Sequence, residues 1–475
     1  MPVNLNAPLS WKSAAGDDKA MLENLQPNIL KAHTREFLSM FFVRFADQAK
    51  GRAFLRALSV PSAKFLKSAL DHLGEVAAFK ASGTPGTPYF GVGLTKPGYD
   101  LIGVPVAKQP GDAAFRAGMP SHAGALGDPA AGSWEAGLSG AHAVVLVGDQ
   151  LAPPQAAAVL KLKTLLAAHP GVTVLVRQNG HGQHNDNEEG IEHFGYVDGR
   201  SQPIFLVEDL AAEKLGKDGI TTWDAAFPIG RAIVADPASP TPAKHFGSYF
   251  VFRKLEQNVK LFKTEEQKLA ARLGLTGDAA ERAGAIIVGR FEDGTPLAVQ
   301  YAEGSCHPVP NDFDYSSDPE GGKCPHLGHI RKMNPRGSGG FEPPATERLH
   351  IMARRGQTYG VCTDGLNDGK IVNKPTKDVG LLFMAFNADI GEQFEFVQKN
   401  WANFGGFPKV PAGVGTPGPD LIIGNGARPD IECPVQWGSA IGVPPRKTTR
   451  APKAAVTMKG GDYFFMPSIA FLRSL

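Results

Sequence analysis

The sequence predicts an α+β protein in two similar halves, each a sheet with helices packed on one face. Two observations carry that prediction: runs rich in Phe, Val and Ile recur at strand length, and stretches of helical periodicity lie between them. In the first half, strands read at Phe37–Phe45, Tyr89–Leu94, Ala143–Val147 and Val172–Arg177. Helical spacing links Ala53, Leu55 and Leu58, then Phe65, Leu66 and Leu70, and later the alanine-rich Gln155–Ala168. The second half gives strands at Ser248–Arg253, Ala285–Phe291, Leu349–Arg354, Gly380–Phe386 and Asp462–Phe465, with helices at Thr264–Leu273 and Ile390–Asn403. His181–Glu192 is polar and aperiodic and reads as an exposed loop, as do the Pro-rich stretches Asp236–Lys244 and Lys409–Pro419.

Composition excludes several functions. Among 475 residues, 49 basic side chains face 47 acidic ones, so a net charge of +2 recruits neither nucleic acid nor an anionic membrane. The longest apolar runs, Val379–Phe386 and Ala143–Val147, fall well short of the ~18 residues of a membrane span. The N-terminal segment shows no apolar signal core and no twin arginine, and neither an export signal nor a C-terminal cargo extension is expected. The four cysteines, Cys306, Cys324, Cys362 and Cys433, are too few for a disulfide framework. A cytoplasmic protein is expected.

Four segments concentrate chemistry. Cys324–Arg336 (CPHLGHIRKMNPR) combines a thiol, the imidazoles of His326 and His329, and strong cations. Gly195–Pro203 (GYVDGRSQP) sets Asp198 close to glycines that permit near approach of the backbone. Ile351–Gly360 (IMARRGQTYG) places adjacent arginines after an apolar strand. Cys306 and His307, with Cys324 and His326, offer four zinc-type ligands, although the pairs are adjacent or alternate rather than spaced as in zinc fingers. Taken singly, each has an ordinary reading: His329 as a hydrogen-bonded core histidine, Asp198 as a turn residue, Arg354 and Arg355 as surface cations on opposite strand faces.

Taken together and in order, these segments resemble the dye-decolorizing peroxidases. The resemblance runs from Leu25-Gln26-Pro27-Asn28-Ile29-Leu30-Lys31 through Glu192-His193-Phe194-Gly195-Tyr196-Val197-Asp198-Gly199 and Ser201-Gln202-Pro203. It continues with Gly247–Arg253, Gly289–Gly294, Cys324-Pro325, His329–Lys332, Asn334-Pro335-Arg336 and the tail GDYFFMPSIAFLRSL. The resemblance implies two ferredoxin-like modules of the dimeric α/β-barrel superfamily, residues 1–235 carrying the GxxDG loop and residues 236–475 binding haem b. It also implies reduction of hydrogen peroxide coupled to oxidation of dyes, phenols or other aromatic donors, favoured at acidic pH.

Residue roles follow from the same resemblance. His329 is implied as the proximal iron ligand, with His326 as a rival three positions away and Asp420 as the carboxylate partner of its second nitrogen. Asp198 is implied as the acid–base residue and Arg354 as its cationic partner, with Arg355 sent to the other strand face. Leu381 and Phe383 share one face of their strand, either as an apolar roof over the distal haem face or as core packing. Arg336 is implied as a propionate partner, and Gly199 and Ser201 as neighbours of the haem edge. Trp401 and Tyr359 are candidates to relay electrons from the surface, although Trp401 aligns with Ile390, Phe394 and Val397 at core spacing. The alternative function is a haem-binding or iron-handling protein with little peroxidase turnover.

Overall fold

The computed structural model describes residues 2–215, 222–304, 309–362, 365–438 and 444–475. Its main sheet is antiparallel throughout and has ten strands among the described residues. In the first half the order across the sheet is Val172–His181, Phe37–Phe45, Ala143–Asp149, Tyr89–Leu94. Numbered by appearance in the chain, that is fourth, first, third, second. The second half repeats the order with Val456–Met466, Phe246–Gln257, Gly380–Asn387 and Ala353–Arg354. Each half is therefore a ferredoxin-like unit with helices in its crossovers, as expected. The two units meet edge to edge where Leu94 pairs with Phe465, so their sheets run on as one.

The strands form where β-branched and aromatic residues cluster, because such side chains pack well on a pleated surface. Phe41, Val43, Phe90, Val145, Tyr249, Val251 and Phe465 face one core, while Met40, Phe42, Val144, Phe250, Phe252 and Phe464 face the other. Helices Gln48–Ser59 and Ala152–Ala167 cover the first of these faces with Phe54, Leu55, Leu58, Val159 and Leu162.

Three readings change. Ala285–Phe291 is not a strand: Arg282–Val288 is an α-helix ended by Gly289, whose φ of 94° only glycine adopts easily. A short apolar run such as AIIV fits either a strand or a buried helix, and alternation could not separate them. Leu349–Arg354 shrinks to the strand Ala353–Arg354, because Arg348–His350 winds as a 3₁₀ turn. Ile390–Asn403 is helical but wound as two π segments, Gly391–Glu395 and Val397–Asn403. No helix among the described residues is long and apolar enough to cross a membrane.

Candidate active site

A cavity of about 560 Å³ opens between the second half's sheet and the helices packed on it, with the loop from Gly190 to Gln202 contributed by the first half. Leu381 and Phe383 project into it from the strand Gly380–Asn387, while Leu382 and Met384 face the core. Ile330, Met333, Val397, Ile422 and Ile423 add apolar surface.

His329 opens the short helix His329–Met333 and lines the cavity. Its Nδ1 lies 2.8 Å from Asp420 Oδ2, which leaves Nε2 as the ring nitrogen free to coordinate. Asp420 is fully buried, and its other oxygen accepts from the backbone N–H groups of Ile422 and Ile423, both at 2.8 Å. Burial works against both charges, but the pair's attraction outweighs it: the His329 pKa is raised and the Asp420 pKa lowered. Lys332, one turn along, donates to the carbonyls of Phe404, Phe407 and Gly418, tying the helix to the segment that delivers Asp420. His326 is turned elsewhere. Its Nε2 meets the Pro319 carbonyl at 3.0 Å, and burial drops its pKa to about 3.

Asp198 and Arg354 line the same cavity, with Arg354 Nη1 at 3.9 Å from Asp198 Oδ1. Asp198 sits on a tight hairpin closed by its N–H to the Gly190 carbonyl at 3.0 Å. Its carboxylate accepts from the Gly199 N–H at 2.6 Å, and Gly199 supplies the positive φ of 80° that turns the chain. At Gly195, whose φ is 98°, a Cβ would lie 1.9 Å from Asn367 Oδ1, so that amide would have to move. Arg354 is fastened to this loop by donating to the Arg200 carbonyl at 3.0 Å, and its N–H reaches Gln202 Oε1 at 3.1 Å. Arg355 spends its guanidinium on the carbonyls of Asn28 and Ile29.

Arg336 and Ser201 line the cavity and hydrogen-bond to each other at 2.8 Å. Two further groups on the wall, Glu192 and Arg290, stand in the matching motifs but carry no sign of their role in the sequence. The Glu192 carboxylate accepts from the N–H groups of Phe194 at 2.9 Å and Tyr196 at 3.1 Å and from Gln257, and burial lifts its pKa to about 7. Trp401 is buried as core, yet it continues a ring stack: Phe341, which is exposed, lies 6.1 Å from Phe407, Phe407 5.2 Å from Trp401, and Trp401 5.6 Å from His350 on the cavity wall. Tyr359 is buried beneath Lys254. Of the zinc-type set, Cys306 and His307 lie outside the described residues, and burial raises the Cys324 thiol to about 12.

Two ferredoxin-like units around one cavity with opposed polar pairs define an α+β protein with an active-site cavity. No family model matches the chain. The multifunctional dye peroxidase DyP2 of Amycolatopsis sp. is 53% identical over 477 residues, spanning 100% of both chains. A solved structure of DyP2 from that organism matches with a TM-score of 0.94 at 52% identity, again over 100% of both chains. A crystal structure of a DyP-type peroxidase from Anabaena sp. matches with a TM-score of 0.87 at 32% identity, over 98% of this chain and 97% of that one. The chain belongs to the dye-decolorizing peroxidase family, and that membership implies a haem cofactor.

The residues present fit such a group. A neutral imidazole backed by a buried carboxylate is a strong iron ligand, the walls are largely apolar, and uncompensated arginines await acidic substituents.

Proposed function

We propose that the cavity takes haem b and that the protein reduces hydrogen peroxide while oxidising dyes, phenols or similar aromatic donors. The observation that carries this reading is the placement of two polar pairs, His329–Asp420 and Asp198–Arg354, on a single apolar cavity. His329 Nε2 would hold the iron, Arg336 and Ser201 would meet the propionate edge, and Leu381 and Phe383 would exclude water above the ring. The bound haem supplies the electrons that split the O–O bond.

The chain's own groups do the rest. Asp420 keeps the proton of the imidazole on Nδ1 and raises the basicity of Nε2. The Asp198 carboxylate takes a proton from incoming peroxide and returns it to the departing oxygen, directly or through one water. The Arg354 guanidinium stabilises negative charge as that oxygen leaves. Phe341, Phe407, Trp401 and His350 give bulky donors a path that avoids entry to the cavity.

The division into residues 1–235 and 236–475 belongs to this reading, supported by the repeated strand order. So does residence in the cytoplasm. The test is a haem spectrum of the purified protein followed by peroxide-dependent bleaching of an anthraquinone dye. A protein that takes up haem but turns over no dye would favour a haem- or iron-handling role instead.

A further inference from the structure

Arg290 and Arg336 both line the cavity, and both are buried, with 4% and 5% exposure. Among the described residues neither guanidinium hydrogen-bonds or ion-pairs with a carboxylate; Asp312 and Asp314 act on Arg336 only at a distance. The third arginine of this wall, Arg200, is already paired with Glu189. Two adjacent cations withdrawn from water without a counter-charge form a costly arrangement, and burial together with the neighbouring Arg336 pulls the Arg290 pKa down to about 9.

What organises them is a neutral amide. Asn311, 3% exposed and behind the cavity wall, accepts at Oδ1 from Arg290 Nη2 at 2.8 Å, Arg336 Nη2 at 3.1 Å and Ser201 Oγ at 2.8 Å. Its carbonyl accepts from Arg336 Nη1 at 2.8 Å, and its Nδ2 donates to Thr222 Oγ1 at 3.0 Å. Because all three partners of Oδ1 are donors, the orientation of the amide is fixed. Ser201 and Arg336 also share an unusual backbone, with φ of 60° and 53°. Side-chain-bearing residues stay in that left-handed region only where their surroundings over-determine them, and Asn311 is bonded to both.

We infer that Asn311 is a positioning residue that holds Arg290, Arg336 and Ser201 as an uncompensated cationic wall for the carboxylates of the cavity's ligand. An aspartate could accept the same three bonds but would cancel one charge. The amide orders the arginines and leaves their field intact. This rests on the reading of the cavity as a haem site, where the two propionates supply the missing negative charge.

The test measures release of haem, and separately of haem dimethyl ester, from the reconstituted full chain to excess apomyoglobin. The unaltered protein should release the ester roughly tenfold or more faster than haem, since the ester lacks charge-assisted bonds to the wall. Asn311→Asp should release haem several-fold faster than the parent protein while its ester release stays unchanged, which also reports an intact fold. Should that variant not fold, Asn311→Ala removes the acceptor without adding charge and should lose part of the same discrimination. Retention of the parental haem-to-ester ratio in the variant that folds would overturn the inference. So would faster release of both porphyrins alike, which makes Asn311 merely structural. A parent protein that takes up neither porphyrin refutes the haem reading itself.

Discussion

The two polar pairs of the cavity are built in opposite ways. His329 and Asp420 lie 2.8 Å apart, with the carboxylate wholly buried and saturated by backbone N–H groups. Asp198 and Arg354 stand 3.9 Å apart, with their side chains 44% and 38% exposed. The first pair is held in position before any ligand arrives, which suits the proposed metal ligand. The second is open to the cavity, which suits a group proposed to exchange protons with substrate. Rigidity and access are thus divided between the two walls.

The sharpest way to break the comparison is at its rigid end. His329→Ala should abolish peroxidase activity and change the axial ligation of any retained haem, read by absorption and electron paramagnetic resonance. An unchanged fifth ligand would remove His329 from the role. At the open end, Asp198→Asn and Arg354→Leu should each slow the reaction with peroxide by about 10²–10⁴-fold, the range of a lost acid–base group or charge stabiliser, while haem binding stays as in the parent. Stopped-flow mixing with peroxide measures it, and full rates in both variants would leave the distal assignment without support. Asp420→Asn should act on the cofactor instead, weakening haem retention by roughly 10–100-fold, because the amide oxygen stays with the Ile422 and Ile423 N–H groups and a donor turns toward the imidazole. A variant that holds haem normally would show that burial alone positions His329.

How legible this was in the sequence differs between the walls too. His329, Asp198 and Arg354 stand in short motifs whose order along the chain is distinctive, and the cavity gathers all three. Strands were readable because alternating aromatic and β-branched residues mark them. The helix at Arg282–Val288 was not, since a brief apolar run carries no usable period. Asn311 left no trace at all: a lone amide in a loop gains meaning only when Thr222, Arg290, Arg336 and Ser201, distant in sequence, converge on it. Glu192 sat in plain view within a matching motif, but its burial is a property of the folded loop.

Glu192 gives the smallest and most exacting test, because it stands on the same hairpin as Asp198 and shares its charge type but not its exposure. Burial lifts its pKa to about 7, with the Asp198 charge adding to the shift, whereas an unfolded glutamate titrates near 4.3. Between those values the folded chain keeps a proton that the unfolded chain has lost. Stability from this group therefore falls as pH rises from about 4 to about 7, by at most ~1.4 kcal/mol per pH unit, and is constant outside that window. Because the carboxyl lines an open cavity, the total is on the order of 1–2 kcal/mol. Glu192→Gln cannot ionise, so its free energy of unfolding relative to the parent should be larger at pH 8 than at pH 4 by that amount, after any constant offset for the altered hydrogen bonds. Chemical denaturation across that range measures the gap. A gap independent of pH would mean that Glu192 is as well solvated as Asp198, and the contrast between closed and open carboxylates would then stop at the proximal wall.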